Sequence, residues 1–515
     1  MKFSEKRLFI FLLALTLVFH LLVVFLVLKP HSNPYIGDMM DKHMVYLVSQ
    51  SILDGSPQPS PYWNIGYPAV LALFHRFSAP YITTERWLSL PFSLIILALS
   101  FIIAHRLSNL STAFFSALAL STSLTFILKS IGAKDFMLSA VLILLSIVVF
   151  YNFKGEKRRW RLVLYGLILG LSFTFRYISL YLLPLFIIYI FIIKGKREGL
   201  SLSLFYILGF IIGGLPQFAI ATYKWGNPLY SENAKTIWFT INKIDDWARF
   251  LTTDEKFSTI SVILANPKGF IANWLRSANA FISSMPINPP LMFLSYAGLI
   301  AFIARARDRW LNFAIVMLSI YLAITFTYRA YSDYLLPVMP FLAFGGVWFL
   351  SEFVPECLKA KGLSWLPLRF CIITIIVLYM LGFSYNRVNK PDESVVWEKE
   401  AIGKVAEVLK GDGVNDPSSV LSTDMWYLYL PGAKSDFWEY HQVPFDMTDA
   451  DKVIGYAIEH NYRYLLLYDR YKGAEGDWAG LPKKLMDMKL PDNFKLMLDM
   501  EDSRRRLMLY KILKK

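Results

Sequence analysis

The feature that most constrains this chain is the spacing of its basic clusters along a series of apolar segments. Stretches near the roughly 20 residues that a helix needs to cross a bilayer fill most of positions 7–386. Lysine and arginine gather at alternate ends of them: Lys2, Lys6 and Arg7; Arg106; Lys154 to Arg161; Lys194 to Arg197; Arg305 to Arg309; Lys359 to Arg369. Cationic loops stay on the cytoplasmic side of a membrane, so this spacing assigns every other loop to the outside. The loops bearing Asp38, Asp41 and Asp135 then face outward, as does the C-terminal end. The predicted location is the plasma (inner) membrane, multi-pass, with a cytoplasmic N-terminus.

The predicted fold class is a polytopic α-helical membrane protein with a C-terminal α/β soluble domain. Spans are expected near 8–28, 87–104, 110–128, 135–151, 162–176, 178–193, 201–221, 290–304, 310–327, 333–351 and 369–386, about eleven transmembrane helices. Composition agrees: only 18% of residues are charged, where a soluble domain carries about a quarter. The net charge of +14 is therefore no nucleic-acid footprint, and membrane lipids are its expected partners. Cys357 and Cys371 both fall on the predicted cytoplasmic side, which argues against a structural disulfide. The apolar run Leu8 to Leu28 exceeds a signal-peptide core and lacks a small-residue cleavage site, so it reads as a retained first helix.

The segment 161–194 is too long for one crossing, and basic clusters flank both its ends. An even number of crossings is required, and two short helices meeting near Arg176 satisfy it. A cation there must face protein, water or an anionic ligand, or snorkel to head groups. Three outward segments exceed what connection requires: 29–86, 222–289 and the tail 387–515. The tail has helical patterning at Val395–Leu409 and Ala450–His460, with strands at 418–424, 462–469, 494–500 and 505–513. The expected division is a transmembrane catalytic domain over 1–386 and an outward α/β domain over 387–515.

In the first outer loop, Asp38 and Asp41 are three residues apart and share a face if the segment is helical. A carboxylate just above the bilayer acts as a general base when it reaches an acceptor hydroxyl. Two close carboxylates raise the pKa of one, or share a divalent cation. Spacing leaves both roles open, and solvated or capping acids have the same pattern.

The layout resembles the GT-C membrane glycosyltransferases, which include protein O-mannosyltransferases and the aminoarabinose transferases of lipid A. The residues carrying the resemblance are Gly37-Asp38, Asp41, Tyr46, Ile52-Leu53-Asp54-Gly55 and Ile65-Gly66-Tyr67-Pro68 opening an apolar helix. Asp135, the glycine-rich Gly166 to Leu171 leading to Arg176, Gly226-Asn227-Pro228-Leu229-Tyr230 and Tyr334 to Pro340 come after them in the same order. The resemblance covers about 30–350. Where the family commonly has an acid four before the tyrosine, this chain has Lys42, so either Asp38 or Asp41 fits the base. Asp333 stands before Tyr334 where a basic residue is frequent, which moves the expected phosphate partner to Arg329.

The resemblance implies transfer of a sugar from a polyprenyl-phosphate donor to a protein, lipid or glycan acceptor, with inversion. It casts Asp38 or Asp41 as base and Asp135 as a group positioning the acceptor or a metal. Arg176, Arg329 and Lys134 are cast as phosphate ligands, since arginine offers bidentate geometry and a permanent charge. Tyr46, Tyr67, Tyr331 and Tyr334 are candidate substrate contacts, and an aromatic belt explains tyrosines there as well. No cofactor is implied beyond a divalent cation that the three aspartates would hold. The rival classes are a secondary transporter or flippase, disfavoured by the absence of repeats, and a non-catalytic envelope-assembly scaffold.

Overall fold

The structure, a computed structural model, describes residues 3–28, 45, 48–49, 51–55, 64–77, 81–131, 135–150, 153, 158–231, 233–242, 258–283, 287–288, 291–305, 321, 323–327, 332–359, 368–389, 393–414, 419–423, 443, 447, 449–469, 480–503 and 505–513. They fall into two compact units, one drawn mainly from 44–233 and 263–390, the other from 391–515 with 234–262.

The first unit is helical and multi-pass. Its apolar runs form α1 (Phe3–Leu28), α2 (Gly66–His75), α3 (Tyr81–Leu107), α4 (Leu110–Ser121), α5 (Leu124–Ser130), α6 (Phe136–Phe150), α7 (Arg159–Phe175) and α8 (Leu183–Trp225). After them come α9 (Pro267–Ser283), α10 (Leu291–Arg305), α11 (Met339–Trp348) and α12 (Leu368–Asn389). Among the described residues, five helices are long and apolar enough to cross a bilayer, six if the bent pair α4–α5 is one span. The shorter α6 and α10 are also apolar. Most of the span expected over 310–327 lies outside the described residues.

One of the long helices is two. Gly195 sits at φ 74°, ψ 177°, a conformation open to glycine because no Cβ obstructs it. In a straight helix residues 186 and 206 would be about 30 Å apart, yet the rings of Phe186 and Tyr206 lie 5.8 Å apart. The limbs of α8 therefore fold back on each other around Lys194 to Arg197, between the spans expected over 178–193 and 201–221.

Lipid tails are as apolar as leucine, so close packing rather than hydrophobicity holds such helices together. A Cβ built on Gly166 would stand 1.9 Å from the Tyr206 carbonyl oxygen, and one on Gly209 2.0 Å from that of Val163. Gly170 and Gly213 repeat the approach one turn further along, so α7 and the second limb of α8 meet backbone to backbone. Gly298 and Gly345 make a second crossing between α10 and α11.

The structure corrects one expectation: the span 110–128 is not continuous. α4 and α5 are bent by 70° across Thr122 and Ser123. The polar triplet Ser121-Thr122-Ser123 is fully buried there, and the Thr122 carbonyl accepts from Asn288 and Ser384.

The second unit contains α13 (Glu393–Gly411), β1 (Val420–Ser422), α14 (Ala450–Glu459), β2 (Tyr464–Asp469), α15 (Leu481–Asp487), β3 (Phe494–Glu501) and β4 (Arg506–Ile512). The sheet order is β1-β2-β4-β3. β1 and β2 are parallel, with Leu421 opposite Leu465, and the remaining pairs are antiparallel. All six residues of β2 are buried because both faces of the sheet are covered. Tyr464, Leu466 and Leu509 pack on Ala401, Val405 and Leu409 of α13. On the other face Leu465 and Leu467 meet Val453 and Ala457 of α14 and Leu481 of α15. This is the small α/β assembly that the tail's alternation predicts.

Candidate functional site

The site begins where α7 ends. Arg176 leaves the helix at φ −150°, ψ 128°, and a 3-10 turn over Tyr177–Leu182 leads into α8. The interruption is stitched by hydroxyls: Ser172 and Ser179 share a hydrogen bond of 2.7 Å, with the Ser139 hydroxyl 3.4 Å from Ser172.

The Arg176 side chain turns to Asp135, the residue that opens α6. Nη2 donates to Oδ1 at 2.7 Å and Nε is paired with Oδ2, a side-on bidentate ion pair. The two side chains are 16% and 7% exposed. The guanidinium carbon lies 3.5 Å from the centre of the Phe136 ring and 5.7 Å from that of Tyr334. Those rings meet edge to face at 4.9 Å. Cation–π attraction strengthens when water is excluded, so the aromatic wall adds to what Asp135 supplies. Asp135 and Arg176, expected in separate roles, lie side by side as an ion pair, with both Asp135 oxygens facing the arginine.

The Ile65-Gly66-Tyr67-Pro68 segment packs against the same hinge. A Cβ on Gly66 would lie 2.7 Å from the Thr174 carbonyl oxygen, and Asn64 Nδ2 donates to the Phe173 carbonyl. The Ile65 N–H donates to Gln217 Oε1 at 2.8 Å, and Gln217 Nε2 donates to the Tyr177 hydroxyl at 2.8 Å. That hydroxyl in turn donates to the Tyr230 carbonyl. Tyr67 is 2% exposed, in one cluster with Leu71, Leu88, Phe175 and Val45. Val45 lies four residues beyond Asp41.

Four of the sequence motifs thus converge on the hinge, and Tyr334 brings the fifth. Asp38, Asp41, Tyr46, Lys134, Arg329 and Tyr331 lie outside the described residues. Among the described residues no group of three His, Cys, Asp or Glu side chains is placed to hold a metal. Sequence reasoning missed Gln217 and Asn64. A lone amide in the apolar run 201–221 was the available signal, since a polar side chain at membrane depth needs a partner.

No protein-family model matches the sequence, and no curated protein matches it. Solved structures do. The Archaeoglobus fulgidus oligosaccharyltransferase in its apo form aligns with TM-score 0.57 at 11% identity, over 90% of this chain and 70% of that one. Archaeal oligosaccharyltransferase AglB from the same organism, in complex with an inhibitory peptide and a dolichol-phosphate, aligns at 0.56 and 11%, over the same shares. ArnT from Cupriavidus metallidurans, bound to undecaprenyl phosphate, aligns at 0.54 and 13% identity, over 99% of this chain and 98% of that one.

Proposed function

We propose that this chain, whose fold is that of the GT-C membrane glycosyltransferases, is itself such an enzyme and takes a sugar from a polyprenyl-phosphate carrier. The carrying observation is the convergence of five sequence motifs on a charged hinge at Arg176. The solved structures of the same fold that hold dolichol-phosphate or undecaprenyl phosphate add support. The acceptor is an envelope molecule (protein, lipid or glycan), and the reaction runs outside the cytoplasmic membrane. The basic clusters support that orientation, with 1–386 as the catalytic domain and 387–515 recruiting the acceptor. A tag at either end, tested for accessibility in sealed cells, checks it.

In the proposed step Asp38 or Asp41 removes the proton of an acceptor hydroxyl. The oxygen attacks the anomeric carbon from the face opposite the phosphate, the bond from that carbon to the phosphate oxygen breaks, and the configuration inverts. Charge grows on the departing polyprenyl phosphate. A guanidinium already fixed by Asp135 and Phe136 meets that charge without reorganising, which is where electrostatic catalysis gains most. Arg329 and Lys134 are the further phosphate ligands in this scheme. Tyr46, Tyr331 and Tyr334 contact substrate, and Tyr67 supports the first loop from beneath. A bend in a membrane helix, as at α4–α5, is a feature that favours the transporter reading. It is filled by protein groups, which weighs against a ligand there.

The test is sugar transfer by the purified protein in nanodiscs, with a panel of radiolabelled polyprenyl-phosphate sugars and envelope extract as acceptor. Wild type is run beside Asp38→Asn and Asp41→Asn. Transfer that one variant loses establishes the class and names the base. Full activity in both variants removes the base assignment, and no transfer from any donor turns the reading toward a scaffold or transporter.

A further inference from the structure

The hydrogen bonds around Gln217 run in one direction. The Ile65 N–H points at Oε1, Nε2 points at the Tyr177 oxygen, and the Tyr177 hydroxyl points at the Tyr230 carbonyl. Turning the amide over would set an N–H against the Ile65 N–H, so this arrangement fixes the orientation. Gln217 is 1% exposed and stands where three sequence-distant segments meet. These are the first outer loop at Ile65, the hinge at Tyr177 and the turn after α8 at Tyr230. Tyr177 is the immediate neighbour of Arg176, and Thr174, two residues before Arg176, is tied to α8 through the Gly213 carbonyl at 2.9 Å. Gln217 bonds the first two directly and the third through the Tyr177 hydroxyl.

We propose that Gln217 is a positioning residue: it fixes the hinge so that the guanidinium of Arg176 faces the phosphate of a polyprenyl-phosphate ligand. The inference rests on the reading of Arg176 as the donor-phosphate group. Gln217 itself touches no substrate and acts through Tyr177 and the backbone of the first loop. Losing its hydrogen bonds leaves the Asp135–Arg176 ion pair intact but lets the pair shift with the hinge, and misplacement of about 1 Å is enough to cost large factors.

The experiment measures binding of undecaprenyl phosphate itself to the full chain in nanodiscs, with donor KM and kcat beside it wherever wild type transfers. Gln217→Met removes both bonds at nearly constant volume, and binding should weaken roughly 10- to 100-fold. Gln217→Glu keeps an acceptor for the Ile65 N–H but loses the donor to Tyr177, so it should fall between Gln217→Met and wild type. Tyr177→Phe should resemble Gln217→Glu, and these two milder variants carry the test if Gln217→Met does not fold. Ser384→Ala, at a different buried hydrogen-bond cluster, is the stability control and should bind as wild type does. Unchanged binding in a folded Gln217→Met, or equal weakening in the control, overturns the inference. If wild type binds no polyprenyl phosphate, the donor reading fails and takes the inference with it. A wild type that binds, with variants that bind equally, removes the inference alone.

Discussion

Two interruptions of the membrane helices can be set side by side. Each exposes backbone groups that hydrocarbon cannot satisfy. At the α4–α5 bend the side chains that meet the backbone are neutral. The Asn288 side chain accepts from the Leu124 N–H at 3.0 Å. Its amide nitrogen lies 2.7 Å from Ser384 Oγ, 3.1 Å from the Met380 carbonyl and 3.2 Å from that of Thr122. Ser384 donates to the Thr122 carbonyl at 2.8 Å. At Arg176 the backbone is satisfied too, since its N–H reaches Ser172 and Ser179 reaches back to Arg176. The charged pair is therefore additional to what the break requires. Taking two charges out of water is expensive and often no better than an apolar pair for stability. The comparison teaches that the amide at one break explains itself by structure, while the ion pair at the other calls for a function.

The largest effect is expected where that pair is split. Arg176→Ala or Asp135→Ala leaves one charge buried without its partner and should destabilise by about 3–5 kcal/mol. Replacing both together, Asp135→Leu with Arg176→Met, should recover most of that stability, because no charge is then stranded. Sugar transfer should be absent from all three variants. Thermal unfolding in detergent, read beside the transfer assay, gives both quantities. A double variant that is stable and still transfers would make the hinge as structural as the bend.

The contrast also shows what a sequence discloses. Arg176 was visible because a cation inside an apolar run is conspicuous, whereas Gly166 and Gly170 stood out only through the family resemblance and not through the crossing they make. The tail's strands were visible through their composition. The bend was not visible: Thr122 and Ser123 interrupt apolar residues no more than many polar residues inside straight helices do. Asn288, which makes the bend tolerable, is 166 residues away from Thr122. The Asp135–Arg176 pairing was equally hidden, with the partners 41 positions apart and no periodicity linking them. Local pattern reports local geometry, whereas these contacts depend on which helices become neighbours.

A smaller effect should appear at the bend. Asn288 is 1% exposed, and Asn288→Ala leaves the Leu124 N–H and the carbonyls around it without the amide. A buried polar group left unsatisfied costs about 1–3 kcal/mol, so the thermal midpoint should drop. Wherever the folded variant transfers sugar, its donor KM should match wild type, in contrast to the Gln217 variants. A donor KM that rises as steeply as it does in Gln217→Met would break the comparison, by making the bend part of the donor site.

The smallest effect belongs to a carboxylate–lysine pair that is only half-buried. Asp412, just beyond α13, lies 2.6 Å from Lys511 Nζ and accepts from the Tyr464 hydroxyl at 2.6 Å. The Lys511 bond first, and then that of Tyr464, hold its carboxyl below the usual carboxylate range. A folded pKa lower than the unfolded one contributes stability above the unfolded value, about 4, and the contribution is lost as pH falls through the folded value. Tyr464 works at the other end of the scale: burial, and then the bond to Asp412, push its hydroxyl up to about 12. Its contribution is present below the ordinary tyrosine value of about 10 and lost as pH rises through the folded one. Asp412→Asn should flatten the acid limb of stability against pH, read as the thermal midpoint at successively lower pH. The change should be slight, because exposed pairs are screened by solvent. A midpoint loss as large as that of Asp135→Ala would mean that burial is not what separates the two pairs.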